Sequence, residues 1–571
     1  MDTAGGAAIR ASVIRFVILA VLLSPKLSLA QVPSDPTSQK CEQLLGGERW
    51  QEAVTLAESA RSRSADIDYC YGSALAHLQR WDEARRVFEA AEELQPRDKR
   101  FPTELGGVAF KQHDYAGAKR YLRQALQLDP ADSYANDFLG TIYFLESNVD
   151  AALKYWNRIG KPRISAVKSD PEPHVDAQLL DRAIAVSPAS VLERSELSTS
   201  QARVDGLGIF PIARFDLQAR EDGKFDLVFH NWERNGWGSN KWQALFGIFR
   251  GLPFQTIYPE FYNIDERAIN IKSLIRWDAQ KRRALASVSG PLQGNPKRRV
   301  TLTGDLRGEN WDVVNSFTGP AESFGSLNLR RESLAGAVTS IENERWTWSA
   351  AAEISHRDFR SVLPGSVLTS SLLAKGYQLK QTSQVNVKLF TVPEKRMSLI
   401  ASGAYEAGRL WSAPDESFLK LEPKLHFDWL PQAKGDDYHV QHELRGGKTF
   451  GDVPFDELFM LGVERDNDLW MRGHIGTRDG RKGSAPLGRN FFLSNWELDK
   501  NVYDNGIVDV KLGPFVDTGK ITDPVAGLGS EKWLWDMGVQ AKFRLFGVGF
   551  GFSYGKDLRS GNNAFYVTMK P

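Results

Sequence analysis

From about Gly236 to its last residues the chain alternates apolar and polar positions and shows no helical period. Leu419, Leu421, Leu425, Phe427 and Trp429 interleave with Lys420, Glu422, Lys424, His426 and Asp428. Val385, Val387 and Leu389 interleave with Asn386 and Lys388, and Met537, Val539, Ala541, Phe543 and Leu545 with Asp536, Gln540, Lys542 and Arg544. A period of two gives strands with two unlike faces. The second face carries too many charges for a sandwich core. It suits a water-filled lumen, and Trp and Tyr near strand ends suit the interfacial belts of a transmembrane antiparallel β-barrel. At about twenty residues per strand and loop, residues 235–571 predict about sixteen strands. The final strand, Ala564 to Lys570, runs almost to the end of the chain, as a barrel that pairs its first and last strands requires.

Upstream the period changes from two to that of helices. Gly72, Gly106 and Gly140 recur every 34 residues, and Ala84, Ala118 and Ala152 recur in phase with them. Phe88, Leu122 and Trp156 follow, then Ala91, Ala125 and Ile159, and Pro96 and Pro130 close the first two units. Small residues let the helices of a hairpin approach, larger ones fill the groove, and Pro ends the second helix. This pattern resembles the tetratricopeptide repeat in period and residue class, and predicts an all-α solenoid over 41–161. Cys41 to Arg61 reads as a degenerate capping copy. The resemblance implies a surface that docks a protein partner; the plainer alternative is a spacer. Cys41 and Cys70, the two cysteines of the chain, fall on first helices of neighbouring repeats. They suit a disulfide in an oxidising compartment and equally two separate buried thiols.

Residues 162–234 read differently again. Ile164 to Val167 is a short strand, and Val175 to Val186 carries Leu179, Leu180, Ala183 and Ile184 at helical spacing. A second helix starts near Ser195, and Ile212–Arg220 and Lys224–Glu233 alternate around the turn Asp222-Gly223. The order strand–helix–helix–strand–strand, with Leu207-Gly208-Ile209-Phe210, resembles the small α/β polypeptide-transport-associated (POTRA) domain. That resemblance implies client binding by strand addition at a sheet edge.

Residues 1–30 read as a removable export signal: Arg10 and Arg15, an apolar run from Phe16 to Leu23, and Ser28-Leu29-Ala30 before the cleavage point. Residues 31–40 read as a linker. The run is short for a membrane span, and Pro25 interrupts it. A length of 571 residues requires several domains, and a net charge of +1 argues against a nucleic-acid partner.

Two strings near the C-terminus carry the candidate chemistry. In Val508–Asp517, Val508, Val510, Leu512, Pro514 and Val516 share one strand face, and Asp509, Lys511, Phe515 and Asp517 the other. A lumenal Asp517 in confined space seeks a fixed cation. Arg472, in Met471-Arg472-Gly473-His474, is the candidate, with a fork that Lys lacks. Signal, POTRA-like stretch, barrel and these strings together resemble the bacterial surface antigen superfamily of outer-membrane insertases and two-partner secretion transporters, over 162–571. In that family an inward-folded loop carries Val/Ile-Arg-Gly-Phe/Tyr, and its Arg pairs with the Asp of a Phe-x-Asp-x-Gly strand. Arg472 and Gly473 match the first motif and His474 replaces its aromatic; Phe515, Asp517 and Gly519 match the second. Glu497 resembles a family strand carboxylate on the lumenal face. The resemblance implies an outer-membrane protein, with its N-terminal domains in the periplasm, that inserts or translocates polypeptides. A polysaccharide-export porin, which also joins tetratricopeptide repeats to a barrel, and a passive pore are the rival readings. The ending Lys570-Pro571 departs from the terminal aromatic common in such barrels.

Other strings carry no chemistry. Gly446-Gly447-Lys448-Thr449 lacks the first Gly of a phosphate loop, because position 442 is His. The nine His show no ligand spacing, so the sequence supports no metal site, and no cofactor or enzyme motif occurs.

Overall fold

The computed structural model describes residues 36–60, 63–234, 241–314, 323–363, 366, 368–412, 415–432, 437–504, 508–523, 528–530, 532–545 and 548–570. The expected signal, residues 1–30, lies outside them. The chain divides into two compact units.

The first unit is chiefly helical hairpins: Pro36–Gly46 (α1) with Trp50–Ser59 (α2), Ala65–His77 (α3) with Trp81–Leu94 (α4), Arg100–Lys111 (α5) with Tyr115–Leu128 (α6), and Ser133–Leu145 (α7) with Val149–Trp156 (α8). The 34-residue spacing is a packing constraint made visible. A Cβ on Gly72 would lie 2.4 Å from the Phe88 ring, one on Gly106 2.8 Å from Leu122, and one on Gly140 2.5 Å from Trp156. Ala84, Ala118 and Ala152 are fully buried beside them. Ser64, Asp114, Asp132 and Asn148 cap the following helices by accepting a backbone N–H, which satisfies one donor that a helix start leaves open. The expected linker at 31–40 is corrected in its second half. Helix α1 begins at Pro36, a residue that suits a first turn, and Cys41 is disulfide-bonded to Cys70 across a Cα separation of 6.2 Å.

The elements Ile164–Asp170 (β1), Ala177–Ala183 (α9), Arg194–Leu207 (α10), Ile212–Ala219 (β2) and Phe225–Trp232 (β3) follow in the expected order. The three strands form one sheet in the order β1-β3-β2. Helix α9 is shorter than the apolar pattern over 175–186 predicted.

The second unit is dominated by a barrel sheet of eighteen strand segments. Its wall begins with Thr256–Ile257 (β4) and Glu260–Ile264 (β5), both paired to Ile269–Trp277 (β6). It continues antiparallel through Lys281–Leu292 (β7), Asn295–Val314 (β8), Ser323–Ile341 (β9), Trp346–Arg360 (β10), Gly376–Val392 (β11), Met397–Trp411 (β12), Glu416–Trp429 (β13) and Tyr438–Gly451 (β14). Next come Asn490–Asp504 (β19), Val508–Thr522 (β20), Leu534–Leu545 (β21), Val548–Asp557 (β22) and Asn563–Lys570 (β23). Paired registers run unbroken from β6 to β23.

Alternation sorts the two faces as the sequence predicts. Leu302, Leu334, Ile354, Leu379 and Val539 are exposed outside, whereas Asp305, Arg331, Lys420 and Asp517 are buried inside. Exposed Trp346 and Trp429 lie near one rim and Trp277, Tyr377, Trp411 and Trp535 near the other, the placement of interfacial girdles. No described helix is long and apolar enough to cross a membrane. The string Gly446-Gly447-Lys448-Thr449 is part of β14.

Candidate functional site: an inward loop bound to the barrel wall

Strand β14 pairs directly with β19, from Tyr438↔Lys500 to Lys448↔Asn490. Residues 452–489 therefore leave the wall and return to it at a single place on the rim. They carry short ladders, Phe459–Met460 (β15) with Leu487–Gly488 (β18) and the hairpin of Thr477–Arg478 (β16) and Arg481–Lys482 (β17), and Lys482 of β17 also pairs with Trp311 of wall strand β8. Leu461, Val463, Glu464, Met471, Arg472, His474 and Lys482 are all buried. A surface loop could not bury such residues; this one folds into the barrel interior, beside a cavity of about 950 Å³ lined by Arg283, His426, Arg472, Glu497 and Lys511. Its apolar part packs Leu461, Leu469 and Met471 against Phe491, Leu493 and Ile521 of the wall.

Arg472 meets Asp517, Glu497 and Phe515 of the expected latch, Gly473 and His474 bond Asp536, and Gly519 lies beside Leu461 and Met471. The Arg472 guanidinium donates to Asp517 through Nε at 2.9 Å and Nη2 at 2.6 Å, and its backbone N–H donates to the same carboxylate at 2.9 Å. Nη1 reaches Glu497 at 2.5 Å and Gln540 at 2.9 Å. The guanidinium carbon lies 3.8 Å from the Phe515 ring centroid, close enough for a cation–π contact. Asn495 donates to both Asp517 Oδ1 and the Trp470 carbonyl, at 2.7 and 2.8 Å. Strand parity is what places Phe515 and Asp517 on this face, and parity likewise brings Glu497 inward.

Glycines set how closely the motif sits. A Cβ on Gly555 would come 2.3 Å from the Arg472 carbonyl oxygen, and one on Gly473 2.6 Å from the Asp536 carboxylate. A Cβ on Gly519 would lie 3.1 Å from Leu461 and from Met471. The Gly473 N–H donates to Asp536 at 2.6 Å, and His474 Nδ1 lies 3.1 Å from the same oxygen. His474 thus takes polar partners on the wall.

Two further anchors were not legible in the sequence. Asp456 and Glu457, in a short turn at the loop's start, face Arg331 at 3.2 Å and Arg357 at 3.3 and 3.6 Å; Lys380 reaches Glu457 at 3.3 Å. Asp466 is held by Arg276 at 2.9 Å and Arg283 at 2.6 Å, and Lys482 reaches Glu309 at 2.7 Å. The loop therefore presents Asp456, Glu457 and Asp466 to cations of β6–β11 and Arg472 and His474 to carboxylates of β19–β22, while Lys482 on Glu309 of β8 is a pair of the reverse sense. The available signal was a cation repeatedly placed at lumenal parity: Arg331, Arg357, Lys380 and Lys420. Parity shows the face, but not the partner.

Against known proteins, a tetratricopeptide-repeat family model matches residues 43–99 and 103–162. No curated protein matches the chain. Among solved structures, BamA from Haemophilus ducreyi lacking POTRA domains 1-3 is 12% identical, with a TM-score of 0.40 over 71% of this chain and 83% of that one. CdiB from Escherichia coli is 13% identical, with a TM-score of 0.43 over 72% and 75%. MamA from Desulfovibrio magneticus RS-1 is 21% identical, with a TM-score of 0.21 over 22% and 72%. Likeness at these levels carries no functional argument, so function has to be read from the chain's own geometry.

Proposed function

We propose that this chain is an outer-membrane barrel of the bacterial surface antigen superfamily that inserts or translocates polypeptides, gated by the loop 452–489. The observation that carries the reading is the buried fork of Arg472 on Asp517, within an inward loop whose motif residues all reach their wall partners. The exposed apolar band would face lipid. The connections on the rim that holds Gln293-Gly294 are short, and the inward loop springs from the opposite rim; in this reading the short turns face the periplasm, as in bacterial outer-membrane barrels. Helix α10 supports that orientation. Its final carbonyls, Gly206 and Leu207, accept from Arg299 at 2.6 and 2.7 Å, and Leu207 accepts from Asn270 at 2.9 Å, all beside the short turns.

In this reading the tetratricopeptide repeats dock a periplasmic protein or client. The β1-β3-β2 sheet acts as a POTRA domain, offering edge strands β1 and β2 for strand addition. The protein works by binding and gating, without catalysis or cofactor. A loop tied across the lumen by several ion pairs narrows the path and disfavours the rival polysaccharide-export porin, which needs a standing aqueous route. Depleting the protein and comparing outer-membrane and secreted proteomes with surface polysaccharide separates the two. Loss of a defined protein set is expected; loss of glycan with an unchanged proteome would overturn the proposal.

A further inference from the structure

Asp517, Asp536 and Asp557 stand directly opposite one another on three successive strands: Asp517↔Asp536 across β20 and β21, and Asp536↔Asp557 across β21 and β22. All three are buried, at 0%, 0% and 4% exposure. Like charges facing each other across a ladder repel, and a buried carboxylate is stable only with a compensating partner. Arg472 serves the first. The other two share a single imidazole, with His474 Nδ1 3.1 Å from Asp536 and Nε2 3.7 Å from Asp557. Asp557 also accepts from the Ser560 hydroxyl at 2.5 Å and from the Arg559 N–H at 2.9 Å. One oxygen of Asp536, Oδ1, is buried with no hydrogen-bond partner.

One ligand atom from each of His474, Asp536 and Asp557 lies within 4.8 Å of the others. We propose that these three residues bind a divalent first-row cation, such as Zn2+, that ties the inward loop to β21 and β22. One imidazole and two carboxylates are a donor set for such an ion, with remaining positions left for water. Two positive charges would offset the two carboxylates that Arg472 does not reach. The spacing 474, 536, 557 resembles no metal motif, so only the folded ladder brings the ligands together. The inference needs the seated loop alone and stands or falls apart from the transport reading.

The test uses the full chain, purified in detergent, stripped with a chelator and titrated with ZnCl2 by calorimetry, with bound metal measured after desalting. One equivalent per chain is expected. Binding should weaken at least tenfold in His474→Gln and in Asp557→Asn, and stay unchanged in His426→Gln, which alters a separate lumenal cluster. Heat-modifiable gel mobility identifies variants that keep the folded barrel. Should His474→Gln fail that check, Asp557→Asn, which leaves Arg472 and Asp517 untouched, decides alone. The proposal is overturned if no stoichiometric Zn2+ is retained, if folded variants bind like the parent, or if His426→Gln abolishes binding. The last two results would place the ion elsewhere; the first would leave His474 as the hydrogen-bonded partner of the two carboxylates.

Discussion

At the scale of single residues, the loop is held by geometry more than by charge. Lys at position 472 would keep one positive charge but could not form two parallel bonds to Asp517, reach Glu497 and Gln540, and lie flat on Phe515 together. Arg472→Lys should therefore raise the open fraction of the pore in planar-bilayer recordings, though less than Arg472→Ala. Removing one partner of a dry buried pair costs about 3–5 kcal/mol because the other stays uncompensated; lumenal water lowers that figure. Arg472→Ala and Asp517→Asn should give similar defects, and the double variant should fall short of their sum by about 1–3 kcal/mol. Strict additivity would show that the two do not act as a pair. Gly555→Ala tests closeness with no change of charge. Its methyl group would press on the Arg472 carbonyl, whereas a Cβ on Gly304 meets nothing within 4 Å. The first substitution should open the pore and the second should be silent. Equal effects would rule out seating by close approach.

At the scale of elements, the helical repeat can be followed separately, because its helix signal has little overlap with a barrel's. Closing a loop of 29 residues by a disulfide is worth about 3–4 kcal/mol in the chain-entropy account. Cys41→Ser with Cys70→Ser should lower helix melting by on the order of 10 °C; an unchanged melt would show that the bond does not brace the repeat. The repeat also holds a pH-sensitive contact. Desolvation pushes the Glu104 carboxyl above the ordinary carboxylate range, against the pull of the Tyr69 hydroxyl that donates to it at 3.1 Å. A carboxyl with a raised folded pKa holds its proton more tightly folded than unfolded. Repeat stability is then greatest below the unfolded value of about 4.3, falls as pH rises toward the raised value, and levels off beyond it. Glu104→Gln should flatten that fall and raise the helix melt near neutral pH. An unaltered pH profile would count against the shift.

These elements also show where the sequence was legible. Gly72, Gly106 and Gly140 were readable because close helix contact excludes a Cβ at a fixed interval, so packing leaves a period. Strand parity was readable for the same reason, and it put Phe515, Asp517 and Glu497 on the face that Arg472 meets. The turn Phe455–Glu457 and the Asp536–Asp557 pair were not. Their roles depend on which strands stand opposite one another, and no spacing along the chain encodes that. The single imidazole of His474 facing two carboxylates could be seen only once β20, β21 and β22 were in register.

At the scale of the whole barrel, the loop and the wall carry opposite charge patterns. Wall cations Arg276, Arg283, Arg331 and Arg357 of β6–β10 meet Asp456, Glu457 and Asp466, and wall carboxylates of β19–β22 meet Arg472 and His474, whereas Lys482 on Glu309 of β8 is a pair of the reverse sense. A loop tied on both sides cannot leave through the loss of one tie, since the others hold it near its seat and raise the chance of return. Arg472→Ala alone should thus produce brief, reversible openings. Adding Asp456→Asn and Glu457→Gln frees the side facing Arg331 and Arg357, and should turn those flickers into long openings. The limit is set by deleting 453–488, which the direct pairing of β14 with β19 permits without breaking the wall. The triple variant should approach the conductance and dwell times of that deletion, while Asp456→Asn with Glu457→Gln alone should resemble Arg472→Ala. If Arg472→Ala already equals the deletion, the acidic turn contributes nothing to holding the loop. If the triple variant stays closed, the apolar packing of Leu461 and Met471 on Leu493 and Ile521 retains the loop, and the charges only set its register.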